Sequence, residues 1–232
     1  MKLPVLLRPS SRHPARGART SGAAAWVAGG FLALHAAVGF PLELSGASPA
    51  QHPRTRNTTV QYTIPAVRLI RDDGKPVSLP EEINDGRPVV LNFIFTSCGS
   101  VCPLMSAVFG QFARELGSAR DQVHLMSISI DPEEDTPARL REYAHKFNAG
   151  REWQHYTGTV EASLAAQRAF NVWRGDKMSH AAVTLVRAAP GKPWLRIEGL
   201  VTPAELLQLY RQQLAQAAPA PPPSAPQTLA IR

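Results

Sequence analysis

Apolar and polar positions follow two rhythms along this chain, and each change of rhythm marks an element. Residues 89–95, VVLNFIF, are a run of β-branched and aromatic side chains with the length of one buried strand. The run passes through TSCGSVCP, residues 96–103, into residues 104–116, whose apolar spacing predicts an amphipathic helix. Residues 122–130, QVHLMSISI, alternate and then turn apolar, as a second core strand does. DPEEDTP follows, with Thr136 suited to an N-cap and Pro137 to the first helical position, so residues 138–147 are predicted helical. A short strand at 153–156, a helix over 159–171 and two strands at 182–187 and 194–198 come next. A last helix over 204–213 is entered through Thr202 and Pro203. Ahead of the central strand, residues 67–71 and 76–79 flank Asp72-Asp73-Gly74-Lys75, a hairpin signal. Ordered structure is expected to begin at Tyr62.

This alternation of strands and helices predicts an α/β fold with a parallel core and a late antiparallel pair. The chemistry concentrates at one turn of it. The chain has 2 Cys, and both, Cys98 and Cys102, sit where the central strand meets its helix. If the turn is helical from Cys98 onward, positions i and i+4 share a face and both sulfurs point one way. A helix N-terminus also favours thiolate over thiol. Small buried hydrophobes are the plainer reading of two cysteines, but their placement together at a strand end argues for chemistry. A dithiol at the end of the first core strand is the thioredoxin-like arrangement, so the expected fold is thioredoxin-like with an N-terminal β-hairpin extension. Ligands of open α/β sheets bind at that end of the strands.

Composition changes the picture at the two termini. The net charge of +7 suggests an anionic partner, yet Lys2, Arg8, Arg12, Arg16, Arg19, Arg54 and Arg56 against Glu43 alone put six of those charges in residues 1–58. The body is near neutral, and nucleic-acid binding is not expected. Residues 1–22 read as a basic segment and residues 23–42 as a membrane anchor or the apolar core of a cleaved signal. Residues 43–60 read as a linker, 61–215 as the folded domain and 216–232 as a Pro-rich disordered tail. The body is expected to be exported, on the periplasmic side, where disulfides persist.

The motifs Phe93-Ile94-Phe95-Thr96-Ser97-Cys98-x-x-x-Cys102-Pro103, Ser127-Ile128-Ser129-Ile130-Asp131-Pro132-Glu133-x-Asp135-Thr136-Pro137, Thr157-Gly158 and a His before an apolar strand, His180, together resemble the Sco (SenC) family of thioredoxin-fold copper proteins. The resemblance covers roughly residues 62–213. It implies Cys98, Cys102 and His180 as ligands of Cu(I) or Cu(II). It also implies a role in metallating, or reducing the thiols of, the dinuclear copper site of cytochrome c oxidase. A cuproprotein acceptor such as oxidase subunit II and a thioredoxin-like reductant are the expected partners, with the membrane reached through the N-terminal segment. Two positions depart from the family pattern: Gly99 stands where Pro is usual after the first Cys, and Ser179 stands where Asp usually precedes the His.

Two thiolates and an imidazole suit a soft metal, whereas structural zinc would want a fourth ligand. Met178 is a candidate extra thioether donor; Met105 is expected in the core. The acidic residues Asp131, Glu133, Glu134 and Asp135 are expected to be partners of a helix dipole rather than a hard-metal site. His52, His124, His145 and His155 are expected to be surface or structural. The alternative function is a copper-free thiol–disulfide oxidoreductase in which Cys98 and Cys102 are the redox-active catalytic pair. A peroxidase stands third.

Overall fold

The computed structural model describes residues 55–218, so the expected basic segment, anchor or signal and the tail from residue 219 onward lie outside the described residues. One eight-stranded sheet runs through the described part, in the order β1 (Arg56–Val60), β8 (Trp194–Glu198), β7 (Val183–Arg187), β4 (Val89–Ile94), β5 (His124–Ser129), β6 (Trp153–Gly158), β2 (Arg68–Arg71), β3 (Pro76–Ser78). Its centre is β4 (Val89–Ile94), which pairs in parallel with β5 (His124–Ser129), itself parallel to β6 (Trp153–Gly158). On the other side of β4 lie β7 (Val183–Arg187) and β8 (Trp194–Glu198), both antiparallel to their neighbours. The hairpin β2 (Arg68–Arg71) and β3 (Pro76–Ser78) adds the far edge by pairing β2 antiparallel with β6.

Every residue of β4 and β5 is buried, because both faces of the sheet are covered. Side chains alternate between the faces as the pleat requires. Leu91 and Phe93 join Leu69, Ile128, Tyr156 and Phe170 under the short helix α1 (Leu79–Ile83) and α4 (Val160–Ala169). Val90 points the other way, into Phe109, Phe112, Leu206 and Tyr210 of α2 (Val101–Leu116) and α5 (Pro203–Ala217). A third cluster lies at the end of β4, where Ile94, Phe95, Cys98 and Cys102 pack on Leu140 and Tyr143 of α3 (Pro137–Lys146). Thr136, Thr159 and Thr202 cap α3, α4 and α5 by accepting a backbone N–H three residues on.

Two expectations are corrected, and one element, α1, is added. Residues 43–60 were expected to be linker throughout, with order from Tyr62; instead β1 (Arg56–Val60) pairs antiparallel with β8. Its sequence, RNTTV, is mostly polar because it is an edge strand with little buried surface, so no apolar alternation announced it. α1 has only five residues, too few to show a helical period. α5 continues to Ala217, so residues 216 and 217 belong to the helix and not to the tail.

The topology brings two distant segments to one pole. β4 and β5 end there, and β7 begins there, since Asn92 faces Thr184 in an antiparallel pair. The turn leaving β4 carries the cysteines. The segment entering β7 carries His180.

Candidate functional site

Beyond Ile94 the chain makes a tight turn, closed by Cys98 N–H donating to the Phe95 carbonyl at 3.2 Å. Helix α2 starts only at Val101, so Cys98 lies ahead of it and Cys102 in its first turn. The expectation that both cysteines share one helical face is therefore replaced by a different arrangement. Ser100 stands at the N-cap without a side-chain capping bond, and its hydroxyl lies 3.7 Å from the Cys98 sulfur. The Cys98 sulfur occupies the acceptor's place instead, facing the N–H groups of Cys102 and Ser100. Gly99 is not demanded by the backbone: a Cβ there would meet open space and its φ is not left-handed.

The two thiols are thereby made unequal. Burial opposes ionisation of Cys98, but hydrogen bonds from the Cys102 and Ser100 backbone and from their side chains outweigh it and bring its pKa down. Cys102 is fully enclosed, and burial pushes its thiol up to about 12 against the pull of the Phe95 N–H. The Cys98 sulfur and the Asp135 carboxylate add to the rise. Both cysteines are free.

A direct test follows from the sign of these shifts. A depressed thiol pKa means that Cys98 becomes thiolate at lower pH than an ordinary thiol. In the reduced, metal-free protein, iodoacetamide labelling of Cys98 is expected to reach half its plateau rate at a lower pH than that of an ordinary cysteine thiol. Cys102 is expected to stay unlabelled across pH 6–10, about the range below its raised pKa. Peptide mass mapping against pH checks both; equal labelling of the two would refute the asymmetry.

His180 reaches the same pole on a segment fixed at several points. Asn171, with φ 53°, ends α4 in the left-handed region, and the buried Arg196 guanidinium holds the Phe170 carbonyl at 2.8 Å and the Asn171 carbonyl at 3.2 Å. Asp176 accepts the Met178 N–H at 2.9 Å and caps a single 3-10 turn, Lys177–Ser179. It thus serves the backbone and leaves the imidazole to another partner. Lys177 Nζ reaches Asp131 Oδ2 at 2.6 Å and lies 5.9 Å from the centre of the Phe95 ring. The His180 ring stands edge-on to Phe95, 6.4 Å between centres, and its Nε2 lies 2.9 Å from the Phe93 carbonyl oxygen. A carbonyl only accepts, so Nε2 carries the proton and Nδ1 keeps its lone pair. Burial lowers the His180 pKa, with Phe93 opposing and Arg174 adding to the fall, and the neutral ring is the form that can ligate a metal.

The cysteines thus meet, and His180 stands beside Phe95 next to them. Among the described residues no three His, Cys, Asp or Glu side chains form a group able to hold a metal ion. Met178 is 75 % exposed and Met105 is buried. His124 and His155 are enclosed in the sheet, where they serve structure.

The acidic turn departs from its expectation. No acidic side chain lies in the first turn of α3 to act as a dipole partner. Asp135 is instead fully buried, accepting the Thr96 hydroxyl at 2.5 Å, the Thr96 N–H at 3.2 Å and the Ser129 hydroxyl at 2.6 Å. Asp131 holds Lys177. The only trace of this in the sequence is the Ser/Thr at the ends of β4 and β5, which supply the donors.

Comparison with known proteins agrees with this architecture. The SCO1/SenC family model matches residues 56–213. A SCO1 protein homolog of Bacillus subtilis is 30% identical over 106 residues, 45% of this chain and 54% of that protein. The match therefore spans about half the length of that relative. The crystal structure of Arabidopsis thaliana ScoI with copper bound superposes with a TM-score of 0.55 at 24% identity, over 64% of this chain and 96% of the other. BsSco, described as a member of the Sco family of cytochrome c oxidase assembly proteins with a disulfide switch, gives 0.56 at 22% identity, over 68% and 96%. At these identities the structural likeness establishes the thioredoxin-like Sco fold. The family match extends from β1 through most of α5 and takes in both the dithiol turn and the His180 segment, and on that ground the chain belongs to the SCO1/SenC family.

Proposed function

We propose that this protein binds copper as cargo at the Cys98–Cys102 pair and passes it to an exported cuproprotein, such as subunit II of a respiratory oxidase. The observation that carries the reading is the free dithiol at the pole of the sheet, one thiol disposed to ionise and the other enclosed. Two sulfurs so placed are a soft donor pair suited to Cu(I). The names of the relatives, one with copper bound and one in cytochrome c oxidase assembly, support the same reading. His180 is proposed as the third donor, through Nδ1 while Nε2 keeps its bond to Phe93, or through Nε2 once that bond is released. Export, with residues 23–42 as anchor or signal, would place the domain where such acceptors lie.

A second reading is favoured by the thiol asymmetry, which is also what a thiol–disulfide oxidoreductase needs. Cu(I) competition against a chromophoric chelator, under anaerobic conditions with reduced protein, separates the two. The binding energy of a structural zinc site, about 10–16 kcal/mol shared among four ligands, sets the scale at roughly 3–4 kcal/mol per ligand. Releasing the Phe93 bond would return about 1 kcal/mol of that. His180→Ala is therefore expected to bind Cu(I) about thirtyfold more weakly than wild type. Affinity unchanged by His180→Ala would remove the third ligand; weak binding by wild type itself would favour the oxidoreductase.

A further inference from the structure

Asp135 is a carboxylate taken wholly out of water, with no Lys, Arg or His within ion-pair distance among the described residues. Burying a charge without a counter-ion is costly unless strong hydrogen bonds replace the lost water. Here the replacements are the Thr96 N–H and hydroxyl and the Ser129 hydroxyl. The Ser129 oxygen accepts the Asp131 N–H at 3.0 Å, which leaves its proton for Asp135. These donors stand at the ends of two parallel neighbours, β4 and β5. Thr96 lies inside the turn that Cys98 closes onto Phe95. Both its backbone and its χ1 are fixed by one carboxylate, two residues ahead of the sulfur that meets Cys102.

We propose that Asp135 is the positioning residue of the dithiol: by gripping Thr96 it presets the turn that holds Cys98 against Cys102. A preset turn keeps the sulfurs near one another before they react or bind, so less freedom is lost when they do. A loosened turn lowers the effective concentration of one sulfur at the other. The inference rests on the cysteines acting as a pair and does not depend on copper.

The test is exchange with glutathione, in which the dithiol gives two electrons and two protons to oxidised glutathione. One S–S bond forms between Cys98 and Cys102, the glutathione S–S bond breaks, and two reduced glutathiones leave. Thr96→Val keeps the shape and removes the hydroxyl donor; Thr96→Ser restores it. The equilibrium constant for intramolecular disulfide formation is expected to fall about tenfold in Thr96→Val, the worth of one charge-assisted hydrogen bond. It is expected to return to within about twofold of wild type in Thr96→Ser. Asp135→Asn should fall similarly, and adding Thr96→Val to it should cost little more, since both break one contact. Cu(I) affinity of the same variants is read in parallel. An exchange constant unchanged or higher in Thr96→Val, or one not restored by Thr96→Ser, would overturn the proposal even where thermal stability falls. Failure of Cu(I) binding in every variant, with the glutathione pattern intact, would count against copper and leave the positioning role standing.

Discussion

Cys98→Ser is expected to lower Cu(I) affinity by about two to three orders of magnitude, taking a thiolate's share of a metal site as roughly 3–4 kcal/mol. A hydroxyl is a poor ligand for a soft ion, and the N–H groups of Cys102 and Ser100 would then hold an oxygen that stays protonated. The partner thiol adds a pH signature. Cys102 is protonated at neutral pH, being pushed up to about 12, so binding must displace that proton. Wild-type affinity should therefore climb by at least about tenfold per pH unit from pH 6 to 8, the dependence of the proton that Cys102 gives up. Its sign is the reverse of acid-stabilised binding. Cys102→Ser should lose affinity together with that share of the slope. Chelator competition at several pH values reads all three proteins, and a flat profile for wild type would mean that Cys102 is not deprotonated on binding.

The second large effect falls on stability. Arg196 is almost wholly buried, and one guanidinium serves four acceptors: the carbonyls of Phe170 and Asn171, the Tyr62 hydroxyl at 3.3 Å and Glu198 at 2.9 Å. Arg196→Met fills much of the space and strands the two carbonyls at the end of α4. An unsatisfied buried carbonyl costs about 1–3 kcal/mol, so a loss of roughly 3 kcal/mol is expected after partial rehydration. For a domain of this size that lowers Tm by about 6–12 °C. Arg196→Lys keeps a charge but cannot bridge both carbonyls, and should recover less than half. Urea unfolding of the two variants checks the ranking. Equal stability of wild type and Arg196→Met would show that water replaces the guanidinium.

Much of the fold was readable because its central strands are covered on both faces. β4 and β5 show as apolar runs for that reason, and Thr136, Thr159 and Thr202 mark helix starts through their own chemistry. β1 was hidden because its stability comes from hydrogen bonds to β8, which any side chain permits. At the site, the cysteine pair and its strand end were legible in the spacing and composition. The rest depends on partners far apart in sequence. Asp135 reads as one more charge in an acidic turn until Thr96, 39 residues away, is folded against it. Lys177 and Asp131, 46 residues apart, likewise give no local sign.

The register of β1 also carries a direction. Arg56 faces Glu198, Glu198 faces Val183, and β7 starts where β4 ends, so β1 begins at the pole that bears the cysteines. Three strand spacings, about 14 Å, separate that starting point from β4 across the sheet. The chain therefore enters the sheet at the end that bears its own thiols, and the far edge and the opposite pole lie farthest from that entry.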